Sequence, residues 1–324
     1  MSDPRAGSDL PVGAVSPESP EARRHRRAPL LSRMGLSERV IEIVRRVAVG
    51  TYTDGFTHAG NLAYLSLVTL FPFFIVAAAV ARLVGRTGDG VHAVEAFLRT
   101  VPPEVASVLE KPILDVLQAR SGSLLWLGAL VGLWTTTGFI ETVRSILRQA
   151  YGIPFSRPFW EYRLGSIGLI VGSVILAMAA FSFQVALLGV EQFILRVMPF
   201  LTDTARILSV ARLAPAVALF VALYMLFYTL TPSKYRYSKC PKWPGAALTA
   251  GWWLGTTALL PLSLDLLGGY DLTYGSLAGV MIALIFFFVV GLGVVVGAEL
   301  NAALAETPEA GLEEPAELKE DTAA

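Results

Sequence analysis

The chain has 324 residues, of which 54% are hydrophobic and only 16% are charged, and its mean hydropathy is +0.58. These values exclude an ordinary soluble domain. The formal net charge is zero, yet nine of the 26 basic residues precede residue 55, and eight of the 26 acidic residues lie at or after Glu299. The single cysteine, Cys240, excludes an intramolecular disulfide.

The segment before the first long apolar stretch has two predicted parts. Residues 1–35 are rich in Pro, Ser, Gly, Glu and Arg, which predicts a disordered basic arm. Its arginine-rich run at 23–27 is either a solvated topology signal or a site for anionic lipid headgroups or nucleic acid. From Leu36 to Val49 apolar residues recur at helical spacing, which predicts a helix lying on the inner membrane surface. We expect no cleavable signal peptide in this polar region.

Six long stretches with almost no charge follow, and each is long enough to cross a bilayer core about 30 Å thick as a helix. They are Gly55–Ala81, Ser121–Ile140, Leu164–Val190, Leu213–Ser233, Pro244–Leu264 and Leu272–Ala298. The sequence therefore predicts an all-α, polytopic bundle of six transmembrane helices within residues 36–305. Its first partner is the lipid bilayer.

Loop charges set the predicted orientation of this bundle. The arm, the second loop and the fourth loop are basic, whereas the last loop, around Gly268–Asp271, has no Lys or Arg. Positive residues favour the cytoplasmic side of a membrane. We therefore predict that both termini are cytoplasmic, with anionic lipids as candidate partners of the basic arm and inner loops.

Two further segments lie outside the predicted spans. The first outer loop contains two candidates for short amphipathic helices, Val91–Thr100 and Glu104–Gln118, separated by two prolines. Residues 306–324 predict an acidic cytoplasmic tail without regular structure.

A polar stripe on the first span is the first candidate functional feature, because a polar side chain in hydrocarbon is costly. Asp54, His58 and Asn61 share one helical face, and Tyr64 adjoins it. Pro72 removes a backbone hydrogen bond in mid-span, which predicts a kink. The stripe is either a route for a substrate or a set of structural hydrogen bonds to neighbouring helices.

A second set of polar residues ends the second and sixth spans. Glu141 and Arg144 are three residues apart, a spacing that permits an ion pair within the helix. Glu299 and Asn301 end the sixth span at the same level. Glu299 requires a cationic partner, a bound proton or interfacial water. Structural pairing and a role in moving protons or substrate both stay open.

Glycines recur every four residues within the predicted spans, and such pairs let membrane helices approach closely. The pairs are Gly128/Gly132, Gly168/Gly172, Gly251/Gly255, Gly275/Gly279 and Gly293/Gly297.

Motifs typical of enzymes are absent from the sequence. The three histidines are far apart, and no Cys or His pair has metal-ligand spacing. No Walker loop and no Gly-x-Ser-x-Gly elbow occur. We expect neither a cofactor nor a metal, and the sequence does not favour an enzyme.

Four blocks of the sequence resemble those of a known bacterial family. They are NLAYLSLVTLFPFF (61–74), GLWTTTGFIETVRSILRQAYGI (132–153), PKWPGAALTAGWW (241–253) and YGSLAGVMIALIFFFVVGLGVVVGAELNAAL (274–304). In order and spacing they are similar to the signatures of the YihY/BrkB family of bacterial inner-membrane proteins, formerly labelled ribonuclease BN. Phe286–Phe288 departs from the pattern, since members commonly carry a Trp-containing stretch there. The resemblance implies a six-span fold in the bacterial cytoplasmic membrane with both termini inside.

The resemblance leaves several functions open. We predict a transporter or lipid translocase of unknown substrate, because the first span carries a polar stripe, Pro72 permits movement, and acidic and basic residues lie at helix ends. A non-transporting protein of envelope integrity, which docks partners on its arm and tail, is the alternative. A membrane-bound ribonuclease is disfavoured because metal-dependent cleavage needs a cluster of carboxylates or histidines. No specific nucleic acid is expected as a partner, and a homo-oligomer stays open.

Overall fold

The computed structural model describes residues 18–20, 36–83, 94–95, 97–119, 123–154, 158, 160–175, 204–236, 240–267 and 277–305, and within these ranges it contains helices and no strand. The long helices are α1 (Leu36–Gly50), α2 (Phe56–Leu83), α3 (Pro103–Ala119), α4 (Ser123–Tyr151), α5 (160–175), α6 (Thr204–Leu230), α7 (Trp243–Leu267) and α8 (Ala278–Leu304). The predicted all-α class is confirmed. The predicted tail and nearly all of the predicted arm lie outside the described residues.

The first two helices form one continuous helical run. α1 passes into α2 through a π-helical turn, Thr51–Gly55, a local widening that is common at functional sites. The predicted helix over 36–49 is confirmed, and its apolar Val40, Ile41 and Val44 are exposed. On its polar side Glu42 pairs with Arg45 at 2.9 Å. These residues give α1 the amphipathic surface that an interfacial helix needs.

Among the described residues, two helical runs, Val40–Ala79 and Ala278–Leu304, are long and apolar enough to cross a membrane, and Ala216–Leu230 is a shorter apolar helix. The first run is 40 residues long, about 60 Å at the rise of an α-helix and roughly twice a bilayer core. It therefore extends well beyond a single crossing. Each of the six predicted spans contains at least part of a described helix.

The outer surface of the bundle is apolar. Large hydrophobic side chains point away from the protein on several helices, at Leu130, Leu164, Val217 and Leu259. Soluble monomers rarely expose so much contiguous apolar surface. Such a surface is suited to contact with the acyl chains of a lipid bilayer.

α2 packs against both α4 and α8. It meets α4 closely at Gly132, where a Cβ atom would lie 2.8 Å from the carbonyl oxygen of Pro72. α2 runs through Pro72 as one helix. The residue predicted to kink the span thus lies at a close contact between these two helices, where the glycine on α4 leaves room for it.

The pairing of α7 with α8 depends on small residues. A Cβ atom at Gly245 would lie 2.3 Å from the carbonyl oxygen of Gly297. The Thr249 hydroxyl donates to the carbonyl of Gly293 at 3.1 Å. The prediction of close approach at Gly293/Gly297 is therefore confirmed.

Two other predicted glycine pairs have no close neighbour among the described residues. A Cβ atom added at any of Gly168, Gly172, Gly251 or Gly255 would meet no described atom within 4 Å. For these pairs the close approach stays a prediction.

α3 covers one end of the bundle. Val105, Leu109 and Ile113 on its apolar face are buried, and the helix packs against α2 and α8. The indole nitrogen of Trp253 donates to the carbonyl of Thr100 at 2.7 Å just before α3. The second predicted amphipathic helix is thus confirmed to within one residue at each end. The first candidate, at 91–100, lies partly outside the described residues and is helical at 94–95 and 97–98.

Candidate functional site

The end of the bundle opposite α3 gathers most of the predicted polar residues, and we call it the polar end. α2, α5 and α7 begin there, and α4, α6 and α8 end there. Contacts across the helices show this arrangement: Cys240 before α7 donates to the carbonyl of Ala305 after α8 at 3.2 Å. Near the end of α4, Arg144 donates to the carbonyl of Tyr162 on α5 at 3.2 Å.

The first contact group joins α2 to α4 through a glutamine. The side-chain amide of Gln149 donates to Asp54 Oδ2 at 2.7 Å, and its Oε1 lies 2.7 Å from Nε2 of His58. A carboxylate only accepts hydrogen bonds, so the glutamine NH₂ faces Asp54 and its oxygen faces the histidine. This network assigns the proton of the imidazole to Nε2. Asp54 and His58 therefore belong to one chain of hydrogen bonds.

The sequence analysis missed Gln149, although its position carries a signal. α4 ends just beyond it at Gly152, whose φ of 73° is the left-handed conformation that favours glycine. The amide of Gly152 donates to the carbonyl of Gln149 at 3.0 Å, and that of Ile153 donates to the carbonyl of Arg148 at 2.9 Å. These two bonds form a Schellman motif, which ends α4 soon after Gln149 and so places this residue in its last turn.

The second contact group joins α4 to α5. Glu141 pairs with Arg163 at 2.9 Å, not with Arg144, whose spacing suggested an ion pair within α4. Arg163 also donates to the carbonyl of Trp134 at 2.8 Å, and its guanidinium carbon lies 4.1 Å from the centre of that indole ring. An ion pair, a backbone bond and ring stacking thus hold α5 to α4.

The third contact group joins the end of α8 to α1 and α7. Glu299 is buried, and its Oε2 lies 2.3 Å from the position that a Cβ atom on Gly50 would take. Asn301 is fully buried; its Oδ1 accepts from the amide of Gly245 at 2.9 Å, and its Nδ2 donates to the carbonyl of Lys242 at 3.1 Å. Asn301 therefore caps the first turn of α7 from another helix.

The remaining stripe residues of the first span face elsewhere. Asn61 and Tyr64 are exposed on the outside of α2, whereas Asp54 and His58 are half-buried. The predicted stripe is thus not one continuous surface. The contacts of the predicted site residues fall into separate groups along the polar end.

A cavity of about 280 Å³ lies inside the bundle, and sequence reasoning did not find it. Side chains from α2, α4, α5, α6, α7 and α8 line it, including Phe139, Leu223 and Val294. Three of the four hydroxyl groups in its lining bond to their own helices: Thr69 donates to the carbonyl of Leu65 at 2.6 Å. Thr136 and Ser173 bond in the same manner. Apart from the hydroxyl of Ser66, the lining is therefore mostly hydrocarbon. We call it the central cavity.

Metal-binding groups were sought across the described ranges. No three His, Cys, Asp or Glu side chains there gather closely enough to hold a metal ion.

An all-helical bundle with long apolar helices and an apolar outer surface defines an integral membrane protein. The profile of the BrkB virulence factor family matches residues 51–321. The chain belongs to this family, as the sequence resemblance indicated.

Curated relatives agree with that assignment. The chain is 28% identical over 260 residues to the ribonuclease-like protein YfkH of Bacillus subtilis (strain 168), covering 78% of this chain and 91% of the relative. It is 24% identical over 282 residues to the UPF0761 membrane protein PSHAa0171 of Pseudoalteromonas translucida (strain TAC 125), covering 81% and 87%. A UPF0761 membrane protein of Aeromonas salmonicida (strain A449) is 26% identical over 261 residues, covering 76% and 83%. No solved structure matches the chain.

Proposed function

We propose that this protein is a transporter that moves a lipid, or another molecule with an apolar chain, in the bacterial cytoplasmic membrane. The observation that carries this proposal is the central cavity. Its volume of about 280 Å³ is near the lower end of ligand sites, roughly 300–1,000 Å³. A hydrated ion or sugar would lose its water there for few replacement hydrogen bonds, which is costly. An acyl chain forms no hydrogen bonds with water, so it does not incur this cost.

The proposed topology has six spans with both termini in the cytoplasm. Successive long helices from α4 to α8 end and begin alternately at the polar end, as they would in a bundle that crosses the membrane repeatedly. Arg144, Lys234 and Lys242 lie at that end, and positive residues favour the cytoplasmic side. α1 then lies on the inner surface, with its exposed apolar residues toward the lipid.

We assign the predicted polar residues to the cytoplasmic mouth of the pathway. Asp54 and His58, linked through Gln149, hold α2 to α4 near the mouth, and Glu299 lies where α1 turns into α2. If α2 moves relative to α4, the hydrogen bonds of Gln149 with Asp54 and His58 must either break or be preserved by a matching movement of the Gln149 side chain. Asn301 acts by positioning α7.

A lipid-translocation assay in reconstituted vesicles tests the proposal. Ser66 lines the central cavity, and Ser66→Phe fills it with a ring, so we expect movement of a fluorescent phospholipid between leaflets to stop. Ser107→Phe makes the same change on the exposed face of α3 and should retain the wild-type rate. Unchanged movement with Ser66→Phe, or no movement with the wild-type protein across phospholipid classes, would contradict the proposal.

The polar mouth is tested separately in the same vesicles. Glu299→Gln combined with His58→Ala should slow translocation if these side chains serve the pathway. Wild-type rates in that variant would remove both residues from the mechanism while leaving the cavity in place.

Two alternatives have their own tests. The name of the Bacillus relative raises RNA cleavage, and purified protein that cleaves RNA only with divalent cations would establish it. An envelope-integrity protein that works by docking would lose its cellular phenotype on deletion of residues 1–35 and 306–324 while still inserting into the membrane.

A further inference from the structure

A second cavity, of about 580 Å³, opens at the polar end. It lies between the end of α4, the start of α5 and the end of α6, beside the one-turn helix Ser233–Arg236. Its lining contains four basic side chains and one acidic side chain, which are Arg144, Arg148, Lys234, Arg236 and Glu161. We call it the basic pocket. Its lining is polar and cationic, in contrast to the central cavity.

Two of these arginines are buried and held in place. Arg144 and Arg148 are one turn apart on α4, and each is 8% exposed. Their guanidinium carbons lie 5.3 and 5.4 Å from the ring centre of Tyr162. Arg144 donates to the carbonyl of Tyr162, and Arg148 donates to that of Pro154. Backbone carbonyls thus hold both guanidinium groups in the lining of the same pocket.

The third arginine, Arg236, lies in the one-turn helix that follows α6. Arg236 donates to the carbonyls of Thr229 and Thr231 at the end of that helix. Like charges one helical turn apart destabilise each other. With four basic groups and one acid in the lining, a bound anion would lower the free energy of the pocket.

Aromatic residues indicate where the basic pocket lies relative to the lipid. Trp160 at the start of α5 is 64% exposed, and its ring centre lies 6.2 Å from that of Trp134. One turn further along α5, Leu164 is also exposed. Exposed tryptophans followed by apolar residues are typical of the boundary between water and hydrocarbon. The pocket is therefore at the level of lipid headgroups.

We propose that the basic pocket binds the headgroup phosphate of an anionic phospholipid from the adjoining leaflet. Arginine forks match phosphate oxygens in pairs, and basic pockets between membrane helices bind such headgroups. Lining residues of the two cavities are neighbours in sequence on two helices, since Arg144 follows Val143 and Leu169 precedes Ile170 of the central cavity. The proposal concerns binding alone, so it stands or falls separately from the proposed transport.

Lipid binding to the full-length protein tests this site. The protein is placed in phosphatidylcholine nanodiscs with a minor fraction of phosphatidylglycerol carrying brominated acyl chains, and quenching of its tryptophans is recorded. Lys234→Gln with Arg236→Gln removes two charges at the rim of the pocket. We expect the apparent affinity for phosphatidylglycerol to fall about tenfold or more. Arg144→Gln with Arg148→Gln should have a larger effect.

A matched control separates the pocket from general charge attraction. Arg99→Gln with Lys111→Gln removes two exposed basic residues near α3, at the other end of the bundle, and should leave binding unchanged. Arg236→Lys, which keeps the charge, should restore part of the affinity in the Lys234→Gln background. Size-exclusion chromatography identifies any variant that fails to fold, and the rim variant, whose changes avoid the buried arginines, then decides the result.

Two results would overturn the proposal. One is wild-type phosphatidylglycerol binding by a folded rim variant, or an equal loss in the control. The other is binding of inorganic phosphate to the delipidated protein that requires Lys234 and Arg236, together with lipid binding that does not. That second result would assign the pocket to a soluble phosphate compound.

Discussion

Asn301, near the end of α8, accepts a hydrogen bond from the backbone amide of Gly245 in the first turn of α7, at 2.9 Å. The two residues are 56 positions apart in the chain. A helix N-terminus needs acceptors for its free amides, and here a neighbouring helix provides one. The hydrogen bond that caps α7 therefore also joins α7 to α8.

We expect Asn301→Ala to destabilise the protein by about 1–3 kcal/mol, because it leaves the amide of Gly245 and the carbonyl of Lys242 buried without this partner. Thermal unfolding in detergent, followed by tryptophan fluorescence, measures the effect. Asn301→Asp should also destabilise the protein, because it still accepts from Gly245 but places a second acceptor against the carbonyl of Lys242. Asn61→Ala is the control, as Asn61 is exposed. Equal melting temperatures for Asn301→Ala and the wild type would disprove the role of the cap.

The seam between α7 and α8 should tolerate no side chain at Gly245. Gly245→Ala places a methyl group 2.3 Å from the carbonyl of Gly297, so the helices must separate at a cost of about 1–3 kcal/mol. Gly251→Ala, on the same helix but with no described atom within 4 Å, should be neutral or stabilising. Unfolding temperatures that rank the two variants in the opposite order would contradict the packing described for this seam.

Glu299 and Gly50 should show a suppressor relationship. Gly50→Ala directs a methyl group at the carboxylate of Glu299, and we expect a loss of stability of about 1–3 kcal/mol. Because the obstacle is the side chain itself, the same change should cost much less in a Glu299→Ala background. Gly60→Ala, which meets no described atom within 4 Å, provides the control. Equal costs of Gly50→Ala in both backgrounds would place the carboxylate elsewhere.

The chain from Asp54 through Gln149 to His58 should behave as one unit. In a double-mutant cycle, Gln149→Ala and His58→Ala should couple by about 0.5–3 kcal/mol, since either change alone breaks their shared hydrogen bond. Chemical or thermal unfolding of the single and double variants gives the coupling energy. Combining Gln149→Ala with Asn61→Ala serves as the non-contacting pair, for which additive effects are expected. Additivity in both cycles would rule out the bond between Gln149 and His58.

The sequence alone determined the helical class, the apolar segments, the family and two amphipathic helices outside the apolar stretches. Observed α3 differs from the predicted Glu104–Gln118 by one residue at each end, and the predicted helix at Leu36–Val49 matches α1 closely. These features depend on the order of polar and apolar residues along one helix, and that order is directly visible in the chain. The sequence also identified Asp54, His58, Glu299 and Asn301 as polar side chains that need a partner.

Only the tertiary structure decided which partners those side chains have. Gln149 connects Asp54 with His58, Arg163 takes the place expected for Arg144, and Asn301 serves α7. Each outcome depends on how far every helix is rotated about its axis and which helix lies beside it, and neither quantity follows from spacing within one segment. The central cavity has the same origin, because it is the space left where side chains from six helices fail to meet. Packing between distant segments, not local sequence, created the site proposed for the substrate.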